Sequence, residues 1–417
     1  MKFVADFHIH SRFSRATSRE INLVNLAKWA KIKGIDILGT GDFTHPLWFK
    51  ELKEGLKPAE NGLYQLRGGD DKTRFILTSE ISCIYSKSGK VRKIHLIVFA
   101  PNLEDVERIN SRLEHIGNIK SDGRPILGID AKELLKIILE VSPSSFMVPA
   151  HAYTPWFSIF GSKSGFNSVE ECFEDYSKYI FALETGLSAD PKMCWRLSGL
   201  DKYTLISNSD AHSLKKLGRE ANVFEGSSIS YQQIIDALQK SNQDLKLAYT
   251  IEFFPEEGKY HYDGHRSCNI VFSPSQTKKN NNICPVCNRP LTIGVLNRVD
   301  ELADRSERQM PAGAIPFKSL VPLQEIIAEA LGVSSLSKRV EQEYWDMIDK
   351  LGSEFNILLE VSKKELEASA LPEIARGILA VREGRVVAEP GYDGVYGKIK
   401  TLGMEDQKTV FKQKSLF

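Results

Sequence analysis

Histidine and carboxylate side chains in this sequence collect at the ends of short apolar runs. Six of the nine histidines follow such a run or lie inside one, and acidic residues accompany them. The residues placed in this way are His8, His10, Asp42, His45, Glu80, His95, His151, Asp210 and His212. Imidazole and carboxylate groups are ligands of borderline divalent metal ions such as zinc. The pattern therefore predicts a metal centre assembled from the ends of several strands.

Two pairs of these residues have a spacing that suits one shared ion. Side chains of a β-strand alternate between its two faces, so residues two positions apart lie on the same face. His8-x-His10 and Asp210-x-His212 both have this spacing. Each pair can therefore present two ligands to the same ion.

The remaining ligands predict more than one ion. Glu80 carries two carboxylate oxygens and can bridge two ions, and His95 and His151 would complete the second site. Asp42 or His212 would supply a third position. Two ions about 3.5–4 Å apart can hold a phosphodiester and stabilise both its attacking and its leaving oxygen. We therefore expect two or three catalytic divalent ions, with zinc, manganese, iron and magnesium all compatible with these ligands.

Three residues are candidates for the catalytic step itself. Asp210 and His212 follow the last strand-like run, and His45 follows the second. His45 could instead be a metal ligand, a phosphate contact or an ordinary loop residue, and these alternatives stay open. Because a metal-bound water loses a proton near a pKa of about 7, the set predicts hydrolysis of a phosphate ester.

Alternating strands and helices must position these ligands. About seven strand-like runs occur before residue 250, and the intervening segments have helical periodicity. Capping-box patterns at Asp130-x-x-Glu133, Ser168-x-x-Glu171 and Ser230-x-x-Gln233 predict helix starts, and the second of these helices is expected over residues 168–179. Repeated strand–helix alternation is typical of a parallel sheet with helices outside it. The predicted fold class is α/β, a seven-stranded (β/α) barrel whose active site lies at the C-terminal ends of its strands.

The bulk composition favours a soluble globular protein with more than one domain. With 417 residues, of which 42% are hydrophobic and 26% charged, the chain is expected to form two or three domains. No run of about 18 apolar residues occurs, and the polar N-terminus argues against a signal peptide. Six cysteines without a secretory signal favour a reducing compartment, so we expect a cytoplasmic protein. The net charge of +1 neither favours nor excludes a nucleic-acid partner.

A second, separate metal site is predicted in the middle of the chain. Cys284 and Cys287 have the spacing of a zinc knuckle, and His265-x-x-Cys268 precedes them. Three cysteines and one histidine form a closed tetrahedral site, so the single zinc ion there would be structural. His261 is a rival fourth ligand. Few large apolar residues surround this segment, which would therefore need the metal in order to fold.

Three regions follow from these observations. Residues 1–254 are expected to form the metal-bearing barrel, residues 255–320 the zinc-binding module, and residues 321–417 a helical region with a Gly/Tyr-rich loop and a Lys-rich tail. The two later regions exceed what a small-molecule phosphatase needs, which favours a nucleic-acid substrate. Glycines in the loop 390–398 permit close backbone approach, and its tyrosines could stack on a displaced base. The candidate DNA contacts are Arg289, Arg298, Tyr392, Tyr396 and Lys398.

The order of the ligands resembles that of a known superfamily. Over residues 1 to about 250 the chain is similar to the PHP (polymerase and histidinol phosphatase) superfamily. The resemblance implies a distorted seven-stranded barrel with a two- or three-metal phosphoesterase site. The ligands that it implies are His8, His10, Glu80, His95, His151, Asp210 and His212. Many members have a histidine directly after the acidic residue of the second strand. Here Phe43 follows Asp42 and the next histidine is His45, a departure that affects the third metal position.

One branch of that superfamily resembles the whole layout. The segments 5–11 (Ala-Asp-Phe-His-Ile-His-Ser) and 39–46 (Gly-Thr-Gly-Asp-Phe-Thr-His-Pro) are similar to the endonuclease Q family. So are the Cys-Pro-x-Cys module and the loop 390–398. This resemblance implies a DNA repair endonuclease that cuts 5′ to deaminated bases (uracil, hypoxanthine, xanthine) and abasic sites. Lesion choice would follow base flipping, because a mispaired deaminated base leaves the stack more easily than a paired one.

Two other functions and one further partner stay open at this point. The chain could be a PHP-type phosphatase of a small phosphate ester, or a non-catalytic zinc-module DNA-binding protein. The C-terminal segment Gln413–Phe417 looks like the beginning of a sliding-clamp-binding box, and an ordinary Lys-rich tail is the alternative. DNA is the expected partner, and no membrane partner is expected.

Overall fold

Residues 1–69, 72–241, 244–307 and 309–402 are described by the structure, a computed structural model. Within these ranges the chain forms seventeen strands and thirteen α-helices. The strands are β1 (Lys2–Asp6), β2 (Ile37–Gly39), β3 (Leu56–Pro58), β4 (Tyr64–Leu66), β5 (Arg74–Lys87), β6 (Lys90–Ala100), β7 (Ile126–Leu127), β8 (Phe146–Pro149), β9 (Ala182–Glu184), β10 (Thr204–Ile206), β11 (Ala221–Gly226), β12 (Leu245–Glu252), β13 (Asp263–His265), β14 (Ile270–Phe272), β15 (Phe317–Ser319), β16 (Val387–Glu389) and β17 (Lys398–Lys400). The helices are α1 (Leu23–Lys33), α2 (Pro46–Gly55), α3 (Leu103–Glu114), α4 (Ala131–Val141), α5 (Val169–Phe173), α6 (Pro191–Trp195), α7 (Tyr231–Leu238), α8 (Pro274–Lys279), α9 (Val295–Leu302), α10 (Leu323–Leu331), α11 (Lys338–Leu351), α12 (Lys363–Ser369) and α13 (Pro372–Arg382).

A single large sheet organises the molecule. Its strands follow the order β15-β12-β11-β1-β2-β5-β4-β3, while β6 pairs with β5 and β8, and β7 pairs with β5. β1, β2 and β5 run parallel, whereas β5 and β6 form a long antiparallel hairpin. β2, β8 and β9 are buried along their whole length. This burial agrees with their continuous apolar sequences, since strands covered on both faces do not alternate.

The strand ladders of the described residues do not close into a barrel. β8 and β9 have no ladder between them, and the Ala152 amide instead donates to the Glu184 carbonyl at 2.9 Å. On the other side of the β9–β10 pair, the Phe7 amide donates to the Asn208 side chain at 2.9 Å. The Asn222 side chain donates to the Ser207 carbonyl at 2.7 Å. The mixed α/β class is therefore confirmed, with a single main-chain hydrogen bond between the segments at the first break and side-chain hydrogen bonds at the second.

The predicted elements correspond closely to those observed. Each of the seven predicted strand runs contains a strand, and the helices predicted from capping patterns begin after Asp130, Ser168 and Ser230, whose side chains accept from backbone amides. The predicted helix over 168–179 is shorter, because α5 ends at Phe173 and a 3₁₀ turn continues to Tyr179. The segment 387–400 is a small hairpin of β16 and β17 rather than a loop throughout.

Packing crosses the predicted domain boundaries, which themselves stay a prediction. β15 pairs in parallel with β12, so a strand from the predicted zinc module extends the central sheet. Lys33 of α1 donates to Glu354 at 2.6 Å, and both side chains are buried. The Tyr344 hydroxyl donates to the same carboxylate at 2.8 Å. The helices in the described ranges are too short or too polar to cross a membrane.

Candidate metal centre

Four ligand atoms converge from β5 and from the segments that follow β1 and β10. The His10 Nε2 atom lies 3.0 Å from Asp210 Oδ1 and 3.3 Å from Glu80 Oε2, and His8 Nε2 lies 3.5 Å from the same glutamate oxygen. Ligands of a tetrahedral zinc ion, with bonds of about 2.0–2.1 Å, lie roughly 3.3–3.4 Å apart. The buried His8 Nε2 has no hydrogen-bond partner among the described residues. The spacing and this unpartnered nitrogen both fit a metal ion at the centre of the group.

Three ligand atoms form a second group on the other side of Glu80. Its Oε1 atom lies 2.6 Å from His95 Nδ1 and 3.2 Å from His151 Nε2, and the two histidine nitrogens lie 3.2 Å apart. The two groups together therefore use both oxygens of one carboxylate. This is the bridging arrangement expected from the sequence, and it suits a pair of neighbouring ions.

The strand ends deliver these side chains through strained backbone. Asp42, His151 and Asp210 have φ angles of 50°, 31° and 46°. Positive φ is costly for residues other than glycine and persists where the surrounding structure enforces it. His8 and His10 follow β1, and an isolated parallel bridge between Ile9 and Ala211 holds this segment against the one that carries Asp210. Positive φ also occurs at other described residues, but at these three positions it places a side chain in or beside the ligand groups.

A buried carboxylate that the sequence analysis missed supports both ligand groups. Glu184, at the end of β9, accepts from His8 Nδ1 at 3.0 Å and from the His151 amide at 2.8 Å. The Asn208 side chain donates to it at 2.9 Å. A ligand histidine that donates one ring N–H to a carboxylate presents its other nitrogen to the metal. Glu184 therefore fixes the ring of His8 and the backbone that carries His151.

Asp42 has the same supporting role for His10. Its carboxylate contacts His10 Nδ1 at 3.1 Å and accepts from the Ser11 amide at 2.6 Å and the Ser14 hydroxyl at 2.8 Å. These contacts occupy both oxygens of the buried side chain. Asp42 is therefore absent from the ligand groups found among the described residues. The geometry favours a supporting role for Asp42 over its predicted role as a ligand of a third ion.

The charges of the site are mutually dependent. Burial opposes the charge of His8, but Glu184 and Glu80 outweigh it and hold the pKa of His8 well above its ordinary value. Burial would likewise raise the pKa of Glu80, yet His95 and Arg124 lower it well below the ordinary range. The carboxylates thus create a negative electrostatic potential, which bound cations would neutralise.

His212 and His45 lie beside the two groups and not in them. His212 Nδ1 hydrogen-bonds to the main-chain oxygen of Asp210 at 2.9 Å, and its ring centroid lies 4.5 Å from that of His10. His45 stacks on Phe13 with centroids 4.5 Å apart, and burial lowers its pKa. The catalytic roles predicted for both histidines stay predictions.

A second cluster gathers the ligands expected for a structural zinc. One ligand atom from each of His265, Cys268, Cys284 and Cys287 lies within 4.8 Å of the others. Burial opposes ionisation of Cys284, but backbone N–H groups at positions 286 and 287 and the His265 ring lower the pKa of its thiol to about 6. His261, the rival ligand, is buried outside the cluster and stacks on Tyr262.

Comparison with known proteins assigns the chain to a family. A family model described as the MJ0043 C-terminal domain matches residues 322–385. The uncharacterised protein YqxK of Bacillus subtilis is 30% identical over 415 residues, which cover 96% of this chain and 99% of that protein. A crystal structure of the lesion-specific endonuclease PfuEndoQ from Pyrococcus furiosus is 32% identical with a TM-score of 0.85, covering 98% of this chain and 99% of that chain. The chain belongs to the endonuclease Q family.

A further endonuclease Q structure is equally similar. It is a crystal structure of a complex with a 27-mer duplex that carries an abasic lesion at the active site. It is 32% identical with a TM-score of 0.86 and covers 98% of both chains. Membership in the endonuclease Q family confirms the predicted enzyme class, a metal-dependent hydrolase.

The DNA contacts predicted for this endonuclease Q are not all on its surface. Arg298 is buried in α9, where it donates to the carbonyls of Phe160 and Phe166 at 2.9 and 3.0 Å, so its predicted role as a phosphate contact is wrong. Its charge serves to hold the segment after β8 against α9. Tyr392 is half-buried against Gly264.

The other three predicted DNA contacts remain accessible. Tyr396 is 68% exposed, with the Lys259 ammonium 4.5 Å from its ring centroid. Arg289 and Lys398 are exposed as well. Their contact with DNA stays a prediction. The clamp-binding prediction at Gln413–Phe417 lies outside the described residues.

Sequence reasoning also missed an arginine of this endonuclease Q site. Arg124 Nη1 donates to Glu80 Oε2 at 3.0 Å, and Glu80 in turn raises the pKa of the guanidinium. The sequence signal that could have identified it is weak: a Gly-Arg-Pro tripeptide in a polar loop. Thr154, which contacts His151 Nδ1 at 3.0 Å, was missed for the same reason.

Proposed function

We propose that this protein is a DNA repair endonuclease that hydrolyses the phosphodiester 5′ to deaminated bases and abasic sites. The observation that carries the proposal is the pair of ligand groups that share Glu80, found in a chain of the endonuclease Q family. The similarity to an endonuclease Q complex with an abasic duplex supports DNA as the substrate. The range of deaminated bases rests on the resemblance of the segments 5–11 and 39–46 to that family.

Two divalent ions are the catalytic cofactors in this proposal. One would be held by His8, His10, Glu80 and Asp210, and the other by Glu80, His95 and His151. When bound, such ions stabilise charge on the phosphate and lower the pKa of coordinated water. Zinc suits the histidine-rich sets, and manganese, iron or magnesium are the alternatives. A further zinc ion would be structural, held by the cluster of three cysteines and His265.

The protein's own groups hold ligands and move protons. Glu184 and Asp42 keep the rings of His8 and His10 in the tautomer that leaves Nε2 available. We assign proton transfer to His212, whose contact with the Asp210 carbonyl places the ring proton on Nδ1 and leaves Nε2 to accept. Burial lowers the pKa of His212, so its ring is neutral near pH 7 and able to take a proton.

The fold and cellular setting of the proposal follow the same reasoning. We regard the strands around the site as an interrupted barrel of the PHP type, in which the Asn208 and Asn222 side chains bridge one break. These strands are β1, β2, β5, β6, β8, β9 and β10. The regions 1–254, 255–320 and 321–417 remain the proposed division of the chain. Unpaired cysteines favour a reducing compartment such as the cytoplasm.

One oligonucleotide series tests the proposal. Duplexes that differ only in the central base (uracil, hypoxanthine, xanthine, an abasic site or the normal base) are incubated with metal-loaded protein, and the cut position is mapped. We expect a single nick 5′ to each lesion and none in the normal duplex. Asp210→Asn should abolish nicking while the protein stays folded. Intact lesion duplexes, with turnover of a small phosphate ester, would instead favour the phosphatase alternative.

A further inference from the structure

We propose that Arg124 binds a non-bridging oxygen of the scissile phosphate and stabilises the charge that grows there during hydrolysis. This inference rests on the proposed function and names a catalytic residue for it. Arg124 Nη1 donates to Glu80 Oε2, the same oxygen that lies 3.3 Å from His10 Nε2 and 3.5 Å from His8 Nε2. About a quarter of the arginine side chain (26%) is exposed, whereas Glu80 is fully buried. The guanidinium therefore lies on the solvent side of the shared carboxylate, where a substrate must arrive.

The loop that carries Arg124 is anchored on both sides of the residue. The Gly123 amide donates to the Phe13 carbonyl at 3.0 Å, and the Ser82 amide of β5 donates to the Pro125 carbonyl at 3.0 Å. A Cβ atom at position 123 would clash with the Asp42 carboxylate, so glycine allows the loop to lie against it. The anchored backbone fixes the position of Arg124, and the hydrogen bond to Glu80 restricts its side chain before a substrate binds. The hydrogen bonds on both sides of Arg124 therefore hold the residue at the site.

The charge balance indicates an anionic partner for this arginine. Among the described residues, four carboxylates supply ligands or contact ligand histidines: Glu80, Asp210, Glu184 and Asp42. With neutral imidazoles, two divalent ions balance these four charges. The Arg219 guanidinium donates to the main-chain carbonyls of Ser209 and Asp210 at 2.8 and 3.3 Å. Among the described residues, Arg124 is the arginine that contacts a ligand carboxylate, and its positive charge is equal and opposite to that of a phosphodiester.

The hydrogen-bonding capacity of the guanidinium agrees with this assignment. Glu80 accepts from Nη1, and the described residues provide no other acceptor for the side chain. A guanidinium has five N–H donors in a planar fork that matches phosphate oxygens. Since charge on those oxygens increases as the nucleophile attacks, the contact would strengthen in the transition state.

The test compares Arg124→Ala and Arg124→Lys with Arg15→Ala. Arg15 is a suitable control because its guanidinium pairs with Asp122, near the same loop, and its side chain is 77% exposed. Parent and variants are assayed on the abasic duplex for kcat and KM, for metal content by mass spectrometry, and for thermal unfolding. Loss of one such charge-stabilising donor lowers kcat by about 10²–10³-fold in other enzymes.

We expect Arg124→Ala to lose about 10²-fold in kcat with a much smaller change in KM, unchanged metal content and unchanged unfolding temperature. Arg124→Lys should keep part of the rate, and Arg15→Ala nearly all of it. Sulfur substitution at the contacted oxygen should slow the parent more than Arg124→Ala. Loss of metal in proportion to activity, or a rise in KM alone, would overturn the inference. Failure of the parent itself to nick any lesion duplex would instead refute the proposed function.

Discussion

Replacing Glu184 by glutamine provides the sharpest test of how the ligand groups are held. The buried carboxylate accepts from His8 Nδ1, the His151 amide and the Asn208 side chain at 2.8–3.0 Å. Glutamine has nearly the same shape but replaces one oxygen by an NH₂ group. In either orientation, that NH₂ faces at least one of these N–H donors.

The size of the effect follows from this mismatch. A buried donor left without an acceptor costs about 1–3 kcal/mol. Since 1.4 kcal/mol corresponds to a factor of about ten, the expected loss of metal affinity is roughly 5- to 150-fold. Substitutions of such supporting groups in metalloenzymes typically cost about 10–100-fold, which agrees. The loss should affect both ligand groups, because Glu184 contacts a residue of each.

The assay is a metal titration of metal-free protein against a chromophoric chelator, with nicking of the abasic duplex measured in parallel. Glu220→Gln is the matched control, since Glu220 is equally buried but accepts from the Phe253 amide and from no ligand histidine among the described residues. We expect weaker metal binding in Glu184→Gln alone. Parent-like affinity and rate in that variant, with an intact fold, would refute the assigned supporting role.

Three further predictions address stability and the second cluster. Cys284→Ser should release roughly one zinc ion per chain, measured by mass spectrometry, whereas Cys194→Ser, a buried cysteine outside the cluster, should retain it. Burial raises the pKa of Glu252 from its ordinary value of 4.5 to about 8, so the stability tied to its proton is complete below pH 4.5 and is lost as the pH rises through 8. Between about pH 6 and pH 9, the free energy of unfolding of Glu252→Gln, measured by urea titration, should therefore fall less than that of the parent. The same pH dependence in both proteins would contradict this. Lys33→Met should cost about 3–5 kcal/mol in the same titration, because it leaves the Glu354 carboxylate buried without its cation. Adding Glu354→Gln should recover part of that loss, and no recovery would contradict the assigned pairing.

The arrangement of strand ends could be predicted because it depends on local periodicity. Apolar runs with alternating side chains identify strands, and the residue types at their ends identify ligands. Spacing alone paired His8 with His10 and Asp210 with His212. The structure brings the first pair together with Asp210 and Glu80 and leaves His212 beside the group. No distance information was required for this step.

The supporting residues could not be predicted because their partners are distant in sequence. Glu184 ends β9, but His8 lies 176 positions away, and no spacing relates the two. Arg298 illustrates the opposite error. Its charge suggested exposure and phosphate binding, whereas three of its hydrogen bonds go to the segment 160–167. Residue type indicates which chemistry is available, and only packing determines whether solvent or substrate can reach it.

The pairing of β15 with β12 limits how the zinc cluster can move. The segment that carries the cluster leaves the sheet after β12 and returns as β15, where Phe317 pairs with Thr250. Both ends of the segment are therefore attached to β12. A rigid-body rotation of the segment would have to distort the chain at both of these points. The distance between the candidate metal centre and the zinc cluster is then expected to vary little. If the proposed DNA substrate contacted both sites, it would have to bend to match that distance, and flexible or damaged DNA would bend more easily than an intact, stiff helix.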